Sequence, residues 1–270
     1  MSEPEKVIHK ALSYRVNGCI FDVHNEVGPG VREECYQKAM EHRLHLAGIP
    51  YIAKPRTRTE MKYRGVTVDV FEPDILLPNR MIVELKHQVR GLAKENFTQV
   101  LSYLKFWDLR LGLLVNFAMD KAIIERIPYQ PRQAEVIEDY DSIRDDISDQ
   151  HRQTLKMIRE GLLEINEQIG IGYADTTYRN LANVEFRARG LKCDGEINVK
   201  PVFQDRQLPQ SAITPLLVNN MFCVQVEAIY DEISARARRT MQTHLRLTGC
   251  DIGIIVCFGK TKFMIRGVKA

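Results

Sequence analysis

Asp74, Glu84 and Lys86 are the residues of this chain whose types and spacing best fit a catalytic site. Glu84 and Lys86 lie in the segment 81–86, whose apolar and β-branched residues predict a short buried strand. Side chains alternate along a strand, so these two share one face and Leu85 lies on the other. A carboxylate and an ammonium on one face of a buried strand are costly unless they meet partners or have a chemical role.

Asp74 precedes a second apolar run, 75–77, which can pair with the first strand through the turn 78–80. An antiparallel pair of this kind brings Asp74 close to Glu84. Two neighbouring carboxylates form a site for a divalent cation, and ligands that are all oxygen favour Mg²⁺ or Mn²⁺ over zinc. The alternative is a buried Glu84–Lys86 ion pair with a purely structural role, which leaves Asp74 unexplained.

The surrounding sequence predicts the elements that position these residues. Apolar residues recur at helical spacing over 4–27 and 31–47, and Gly28-Pro29-Gly30 separates the two helices. The further predicted elements are β structure over 51–77, the strand 80–87, a helix over 93–106, a central strand over 111–117 and an edge strand over 121–127. This order predicts an α/β domain with a mixed sheet flanked by helices.

Two helical segments carry further candidate side chains. Gly30, Glu33 and Tyr36 form the string GxxExxY, and Glu33 and Tyr36 lie three positions apart on one helix face. We expect this helix to bring Glu33 to the metal site, although a first-turn glutamate can also simply complement the helix dipole. Gln99 and Tyr103 lie one turn apart on the following helix.

Residues 5–127 resemble the GxxExxY family of the PD-(D/E)xK nuclease superfamily, which has a restriction-endonuclease-like fold. The strings that carry the resemblance are GPGVREECY, FEPDILL, IVELK, FTQVLSYL and LRLGLLVNF, in this order. The resemblance implies metal-dependent phosphodiester hydrolysis. It makes Asp74, Glu84, the Leu85 carbonyl and Glu33 ligands of Mg²⁺ or Mn²⁺. Lys86 becomes the residue that holds or deprotonates the attacking water. Gln99 and Tyr103 match a QxxxY pattern beside the active site of the RecB-like branch.

The second half of the chain repeats the first. Gly172, Asp175 and Tyr178 stand 142 residues (172 − 30) after their counterparts, and Gly253 stands 141 residues (253 − 112) after Gly112. This offset indicates tandem duplication, hence two domains of one fold. At an offset of 141, Pro215 replaces Asp74.

The charged motif is not repeated. Gln225 replaces Glu84, Glu227 replaces Lys86 and Thr240 replaces Gln99. We therefore expect a catalytically inactive second domain, although Glu227 beside Asp175 leaves a weak cation site open. Arg236, Arg238 and Arg239 are candidates for phosphate contacts, with an ordinary solvated helix face as the alternative.

Composition bounds the remaining expectations. The chain has 270 residues, 44% of them hydrophobic, and a net charge of +3. The six cysteines include no CxxC pair, and no apolar run is long enough for a membrane span, so we expect a cytoplasmic protein without a membrane partner. Acidic residues dominate 128–150, which predicts a linker between domains over 1–127 and 151–270.

The resulting expectation is a deoxyribonuclease with one active and one degenerate domain, acting on DNA. The alternative is a nucleic-acid-binding or scaffold protein that keeps the fold without turnover. The duplication also predicts pairing of the two domains within one chain or between two chains.

Overall fold

The computed structural model describes residues 8–55 and 59–270. The first half contains α1 (Lys10–Val27), α2 (Glu33–Leu46), β1 (Ile52–Ala53), β2 (Glu60–Tyr63), β3 (Val66–Val70), β4 (Ile75–Leu77), β5 (Met81–Lys86), α3 (Lys94–Phe106), β6 (Leu111–Asn116) and β7 (Ile123–Pro128). The predicted helices and strands are all present. Among the described residues the first helix begins at Lys10. Residues 4–7 and 56–58 of the predicted elements lie outside the described part.

The second half contains β8 (Glu135–Asp139), a 3₁₀ helix (Asp141–Asp146), α4 (Asp149–Gln168), α5 (Asp175–Ala188), β9 (Cys193–Asp194), β10 (Ile197–Val199), β11 (Val202–Phe203), β12 (Arg206–Gln207), β13 (Ser211–Ile213), β14 (Leu216–Val218), β15 (Phe222–Ala228), α6 (Ala235–Thr248), β16 (Ile252–Phe258) and β17 (Lys262–Lys269). No helix within the described residues is long and apolar enough to cross a membrane.

The chain divides into two compact units. Unit 1 contains the chain up to Met61 together with Val70–Pro131, and unit 2 contains Lys62–Asp69 together with Arg132–Ala270. The sheet of unit 1 has the order β1-β4-β5-β6-β7, and that of unit 2 has the order β8-β17-β16-β15-β14-β9. In each sheet the two central strands, β5 with β6 and β15 with β16, run parallel, as expected for a mixed α/β sheet.

The two sheets share their register, which confirms the repeat inferred from the sequence. Ile75 lies opposite Val83 across β4 and β5. Leu216 lies opposite Val224 across β14 and β15, which is the same pair 141 residues later. Because this spacing is constant across the sheet, residues at an offset of 141 occupy equivalent places.

One glycine in each sheet allows a helix to pack closely against it: Gly112 for α3, which follows β5, and Gly253 for α6, which follows β15. A Cβ added at Gly112 of β6 would lie 2.4 Å from Val100 Cγ1 of α3. At the equivalent Gly253 of β16, a Cβ would lie 2.4 Å from Met241 Sδ of α6. Since real side chains do not approach so closely, both helices pack onto the strand only because it carries no side chain there.

A buried tyrosine fixes the helix pair of each unit. The Tyr36 hydroxyl donates to the Gly28 carbonyl at 2.8 Å, and its ring stacks on Phe117 with 4.6 Å between centroids. Tyr178 makes the same two contacts in unit 2, donating to the Gly170 carbonyl at 2.6 Å and stacking on Phe258. The tyrosine of the GxxExxY string therefore anchors the turn between the two helices.

The acidic stretch interpreted as a linker is ordered as part of unit 2, which corrects that interpretation for 135–146. β8 pairs in parallel with β17, and Ile143 of the 3₁₀ helix is fully buried. The acidic side chains find cations distant in sequence, because Glu138 bonds Arg159 at 2.6 Å and Asp139 bonds Arg266 at 2.9 Å. Counting charges within the stretch alone could not reveal these partners.

Residues 62–69 also depart from the predicted division at 127, because the tip of the β2–β3 hairpin belongs to unit 2. The reason is a buried carboxylate on α5. Glu185 Oε2 accepts hydrogen bonds from the Tyr63 hydroxyl at 2.7 Å and from Arg64 Nε at 2.6 Å. A buried carboxylate is costly without such partners. These hydrogen bonds to Glu185 therefore hold the hairpin tip against α5 in unit 2.

Candidate active site

Asp74 and Glu84 lie side by side because β4 and β5 form a tight antiparallel hairpin. Leu77 lies opposite Met81, and Asn79 between them adopts φ 57°, a left-handed conformation that asparagine tolerates. The Asp74 backbone N–H donates to Glu84 Oε2 at 3.2 Å. The predicted strand pair is therefore present and brings the two acidic residues together.

Asp74 is held by contacts at both its side chain and its backbone. Its Oδ2 accepts the backbone N–H of Leu85 at 2.9 Å. Its carbonyl accepts the backbone N–H of Lys54 at 3.0 Å and Gln37 Nε2 at 3.4 Å. Gln37 lies on α2, so the helix that carries the GxxExxY string contacts Asp74 directly.

Lys86 and Glu84 form an ion pair on one face of β5, with Lys86 Nζ 2.7 Å from Glu84 Oε1. The alternation inferred from the sequence is thus present. Both carboxyl groups are buried, whereas Lys86 retains partial access to solvent. The site therefore contains two carboxyl groups, those of Asp74 and Glu84, and one neighbouring cation, the Lys86 ammonium.

Burial opposes the simultaneous ionisation of the Asp74 and Glu84 carboxyl groups. Burial and the neighbouring Asp74 charge raise the pKa of Glu84 to about 7. Burial also raises the pKa of Asp74, against the opposing effect of the Leu85 N–H and Lys86. Burial alone would lower the pKa of Lys86, but its ion pair with Glu84 outweighs this and the pKa is raised. A buried carboxyl pair with a raised pKa is typical of sites that act on a proton or a cation.

Glu33 is the first residue of α2 and is exposed. Its charge raises the pKa of both Asp74 and Lys86, so it acts electrostatically on the site. It forms no hydrogen bond or ion pair within the part of the chain that the structure describes. Its role as a metal ligand remains a prediction.

Gln99 and Tyr103 are joined to each other and to the segment before Asp74. Gln99 Nε2 donates to the Tyr103 hydroxyl at 2.8 Å, and that hydroxyl lies 3.4 Å from the Glu72 carbonyl. Within residues 8–55 and 59–270, Gln99 makes no hydrogen bond to Asp74 or Glu84. The geometry assigns the pair to the support of the Asp74 segment, and a direct role in the site remains a prediction.

Two polar residues near the site were missed by the sequence reasoning. Asn116 is fully buried at the end of β6 beside Lys86, and its side chain bonds both the N–H and the carbonyl of Gln88 at 2.9 and 2.8 Å. It was the one polar residue in the apolar run LGLLVNF, which was the available signal. Gln37 could have been found from its position one turn after Glu33.

The sequence model of the PD-(D/E)XK nuclease superfamily matches residues 10–127 and again residues 152–269. The chain belongs to the PD-(D/E)XK nuclease superfamily. The two matches follow each other at the offset of the internal repeat, so both halves of the chain carry the superfamily fold. Comparison with individually curated proteins gives no significant match.

Unit 2 keeps the PD-(D/E)XK fold but changes the site. Pro215 stands before β14 in place of Asp74. Gln225 occupies the position of Glu84 on β15, and its Nε2 donates to Glu227 Oε1 at 2.6 Å. An amide and one carboxylate therefore replace the two acids and the ammonium at the same places in the sheet. Glu227 and Asp175 are joined by no contact within the described residues, so the weak cation site there stays a hypothesis.

The donors of unit 1 fit Mg²⁺ or Mn²⁺ as far as their chemistry goes. Asp74 and Glu84 supply carboxylate oxygens, and Mg²⁺ sites often use only one or two carboxylates together with water and substrate phosphate. No group of three or more His, Cys, Asp or Glu side chains among the described residues is arranged to hold a metal ion. The protein thus offers two neighbouring carboxylates as metal donors, and water and substrate oxygens would have to supply the other ligands.

Proposed function

We propose that unit 1 is a nuclease that hydrolyses phosphodiester bonds in DNA with Mg²⁺ or Mn²⁺. The observation that carries this proposal is the comparison between the units. Unit 2 keeps the same strand register with Pro215 and Gln225 in place of Asp74 and Glu84. The fold does not require the two acids, and two buried acids that repel each other cost stability. Their presence in unit 1 is therefore best explained by chemistry.

Asp74, Glu84 and the Leu85 carbonyl would hold the metal, and Glu33 would add a ligand directly or through water. When bound, such a cation stabilises negative charge on the phosphate and lowers the pKa of water. The buried position of Asp74 and Glu84 strengthens their attraction for a cation, because the surroundings screen charge less than water does. With a cation held there, Glu84 would release its proton to solvent and serve as an ionised ligand.

Lys86 would act on the attacking water and on the charge of the transition state. Its Nζ is held 2.7 Å from Glu84 Oε1 and keeps partial access to solvent, so it is oriented toward the carboxylates and still reachable by substrate. Hydrolysis builds negative charge on the phosphate oxygens, which an ammonium neutralises. Gln99 and Tyr103 would position the segment that carries Asp74.

Within the superfamily, we propose that the chain is a member of the GxxExxY group, on the string from Gly30 to Tyr36. The contact of Tyr36 with the Gly28 carbonyl gives the tyrosine of that string a structural role. We also propose that α6 of unit 2 binds phosphate. Arg236 and Arg239 line an open depression of about 330 Å³ with Thr240 and Thr243. Arg236, Arg238 and Arg239 are exposed and form no ion pair within the described residues, so they are available to an anion.

The test is cleavage of supercoiled and linear DNA with Mg²⁺ or Mn²⁺ by the wild type, Glu84→Gln and Lys86→Ala. We expect both variants to cut about 10² to 10⁴ times more slowly, the range for loss of a positioned catalytic group. Gln225→Ala in unit 2 is the matched control and should cut at the wild-type rate. Unchanged cutting by both unit 1 variants would refute the catalytic assignment.

The exposed arginines of α6 also support a second candidate, a nucleic-acid-binding protein that keeps the fold without turnover. The same assay separates the two functions when binding is measured alongside cleavage. DNA that is bound but never cut, with either metal, would favour the binding protein. RNA tested in parallel would establish which nucleic acid is the substrate.

A further inference from the structure

The tip of the β2–β3 hairpin, residues 62–69, packs on the helix pair α4 and α5 of unit 2. It is an example of how such a hairpin docks on such a helix pair. Within unit 2, Tyr63 packs against α5 with only 5% of its surface exposed, and its hydroxyl bonds Glu185. Arg64 at the turn bonds the same carboxylate, and the Val68 carbonyl accepts Asn180 Nδ2 at 2.8 Å. Arg64 also lies 3.8 Å from Glu164 Oε1 of α4. An aromatic residue and a charged turn thus contact both α4 and α5.

The second half of the chain has an equivalent hairpin over 197–213. Its inner pairing joins Val202 to Gln207 and Phe203 to Arg206, around a turn at residues 204 and 205. Both turn residues have positive φ, as do the turn residues of the first hairpin. Phe203 precedes this turn as Tyr63 precedes the first, 140 residues earlier (203 − 63).

This second hairpin is uncovered. Residues 202–212 are all exposed, and Phe203 exposes 62% of its surface, against 5% for Tyr63. Val202 and Leu208 add to the apolar surface on the same tip. Exposed apolar residues grouped on one projecting element mark an interaction surface.

The helix pair α1 and α2 of unit 1 is the counterpart of the face that receives the first hairpin. At the offset of 142, Arg43 of α2 stands where Glu185 stands in unit 2, and Asp22 of α1 stands where Glu164 stands. Arg43 and Asp22 are joined across the two helices at 2.7 Å. Tyr14, eight residues before Asp22 on α1, exposes 81% of its surface, and Leu46, one turn after Arg43, exposes 65%. Within the described residues, the hairpin tip 202–208 therefore packs on no helix pair, and no hairpin covers the exposed face of α1 and α2.

We propose that the hairpin tip 202–208 of one chain docks on the α1–α2 face of a second copy of the same chain. The contact would repeat between chains the arrangement that unit 2 contains between residues 62–69 and α5. The charges agree with this pairing, although their signs are exchanged. In unit 2 a basic turn residue, Arg64, meets an acidic helix residue, whereas between chains acidic Asp205 at the turn would meet basic Arg43. The contact joins two unlike surfaces, so it can occur twice in a reciprocal two-fold dimer or continue head-to-tail.

Sedimentation velocity over a range of protein concentrations tests this proposal. We expect the wild type to reach a mass twice that of the monomer or a higher whole multiple, and Phe203→Asp and Leu46→Asp each to remain monomeric. Val89→Asp, which also places a charge at an exposed apolar residue, is the control and should associate like the wild type. Circular dichroism verifies that each variant is folded.

Mixing the two defective variants distinguishes a contact between the hairpin and the helix face from a contact between like surfaces. Phe203→Asp keeps an intact helix face and Leu46→Asp keeps an intact hairpin, so an equimolar mixture should form a heterodimer although neither variant associates alone. A mixture that stays monomeric where the wild type associates would overturn the proposal. So would a wild type that is monomeric throughout, or wild-type association by either variant. The outcome is independent of nuclease activity.

Discussion

Replacing Glu84 by glutamine removes a buried charge whose cost can be worked out from the structure. Burial and the adjacent Asp74 raise the pKa of Glu84 from its ordinary 4.5 to about 7. Between these values the folded protein holds the proton more tightly than the unfolded chain does. The free energy of unfolding of the metal-free protein should therefore be highest below pH 4.5 with respect to this group and fall as pH rises to about 7.

The magnitude follows from the pKa difference. A rise from 4.5 to about 7 corresponds to roughly 3–4 kcal/mol, at roughly 1.4 kcal/mol for each pKa unit. In Glu84→Gln the side chain is neutral at every pH, so this dependence disappears. At pH 8 the free energy of unfolding of Glu84→Gln should exceed that of the wild type by less than this full amount. The amide loses the ion pair with Lys86 and places an N–H donor near the backbone N–H of Asp74. We expect a gain of about 1–2 kcal/mol.

The assay is urea unfolding in EDTA between pH 5 and pH 8. Trp107 is the only tryptophan of the chain and lies in unit 1, so its fluorescence reports this unit. Glu125→Gln, the same chemical change at an exposed residue of β7, is the control and should behave like the wild type. Parallel stability–pH curves for the wild type and Glu84→Gln would refute the argument that Glu84 carries this charge penalty.

Three further substitutions test the packing and electrostatics of the fold. Gly112→Ala should destabilise unit 1 by about 1–3 kcal/mol in urea unfolding, because the added methyl would overlap Val100; unchanged stability would show that α3 moves aside freely. Glu185→Gln should cost unit 2 about 2 kcal/mol in calorimetry, because Arg64 loses its charged acceptor, and an equally stable variant would contradict the role given to that carboxylate. Burial lowers the pKa of Lys105 to about 7, so the unfolded chain holds this proton more tightly between pH 7 and 10.5, and stability should fall as pH decreases through that range. Lys105→Met should weaken this dependence, and an unaltered pH profile would argue against it.

The fold was largely predictable, because its local patterns are clear and the same order of elements occurs in both halves of the sequence. The alternation in β5, the turn after β4 and the glycine stop after α1 each have a local physical cause. The offset between the halves then fixed which residues are equivalent. Contacts distant in sequence could not be predicted in this way. Nothing near Tyr63 indicates that its partner is Glu185, and the acidic residues of β8 find their arginines only in the folded sheet.

The site was predictable where it depends on strand geometry. Asp74, Glu84 and Lys86 are brought together by one hairpin, so spacing and alternation were sufficient. Residues delivered by other elements were harder to assign, because their reach depends on helix packing. Glu33 acts on the site electrostatically without touching it in the described structure, and Gln99 bonds Tyr103 instead of the carboxylates. The support given by Asn116 had only its polarity within an apolar strand as a signal.

The most direct test of the central claim is the anomalous diffraction of crystals grown with Mn²⁺. A peak between Asp74 and Glu84 of unit 1, with none between Pro215 and Gln225 of unit 2, is the predicted result. Saturating Mn²⁺ without density beside Asp74 and Glu84, or with equal density in both units, would contradict the claim that unit 1 alone carries the metal-dependent chemistry.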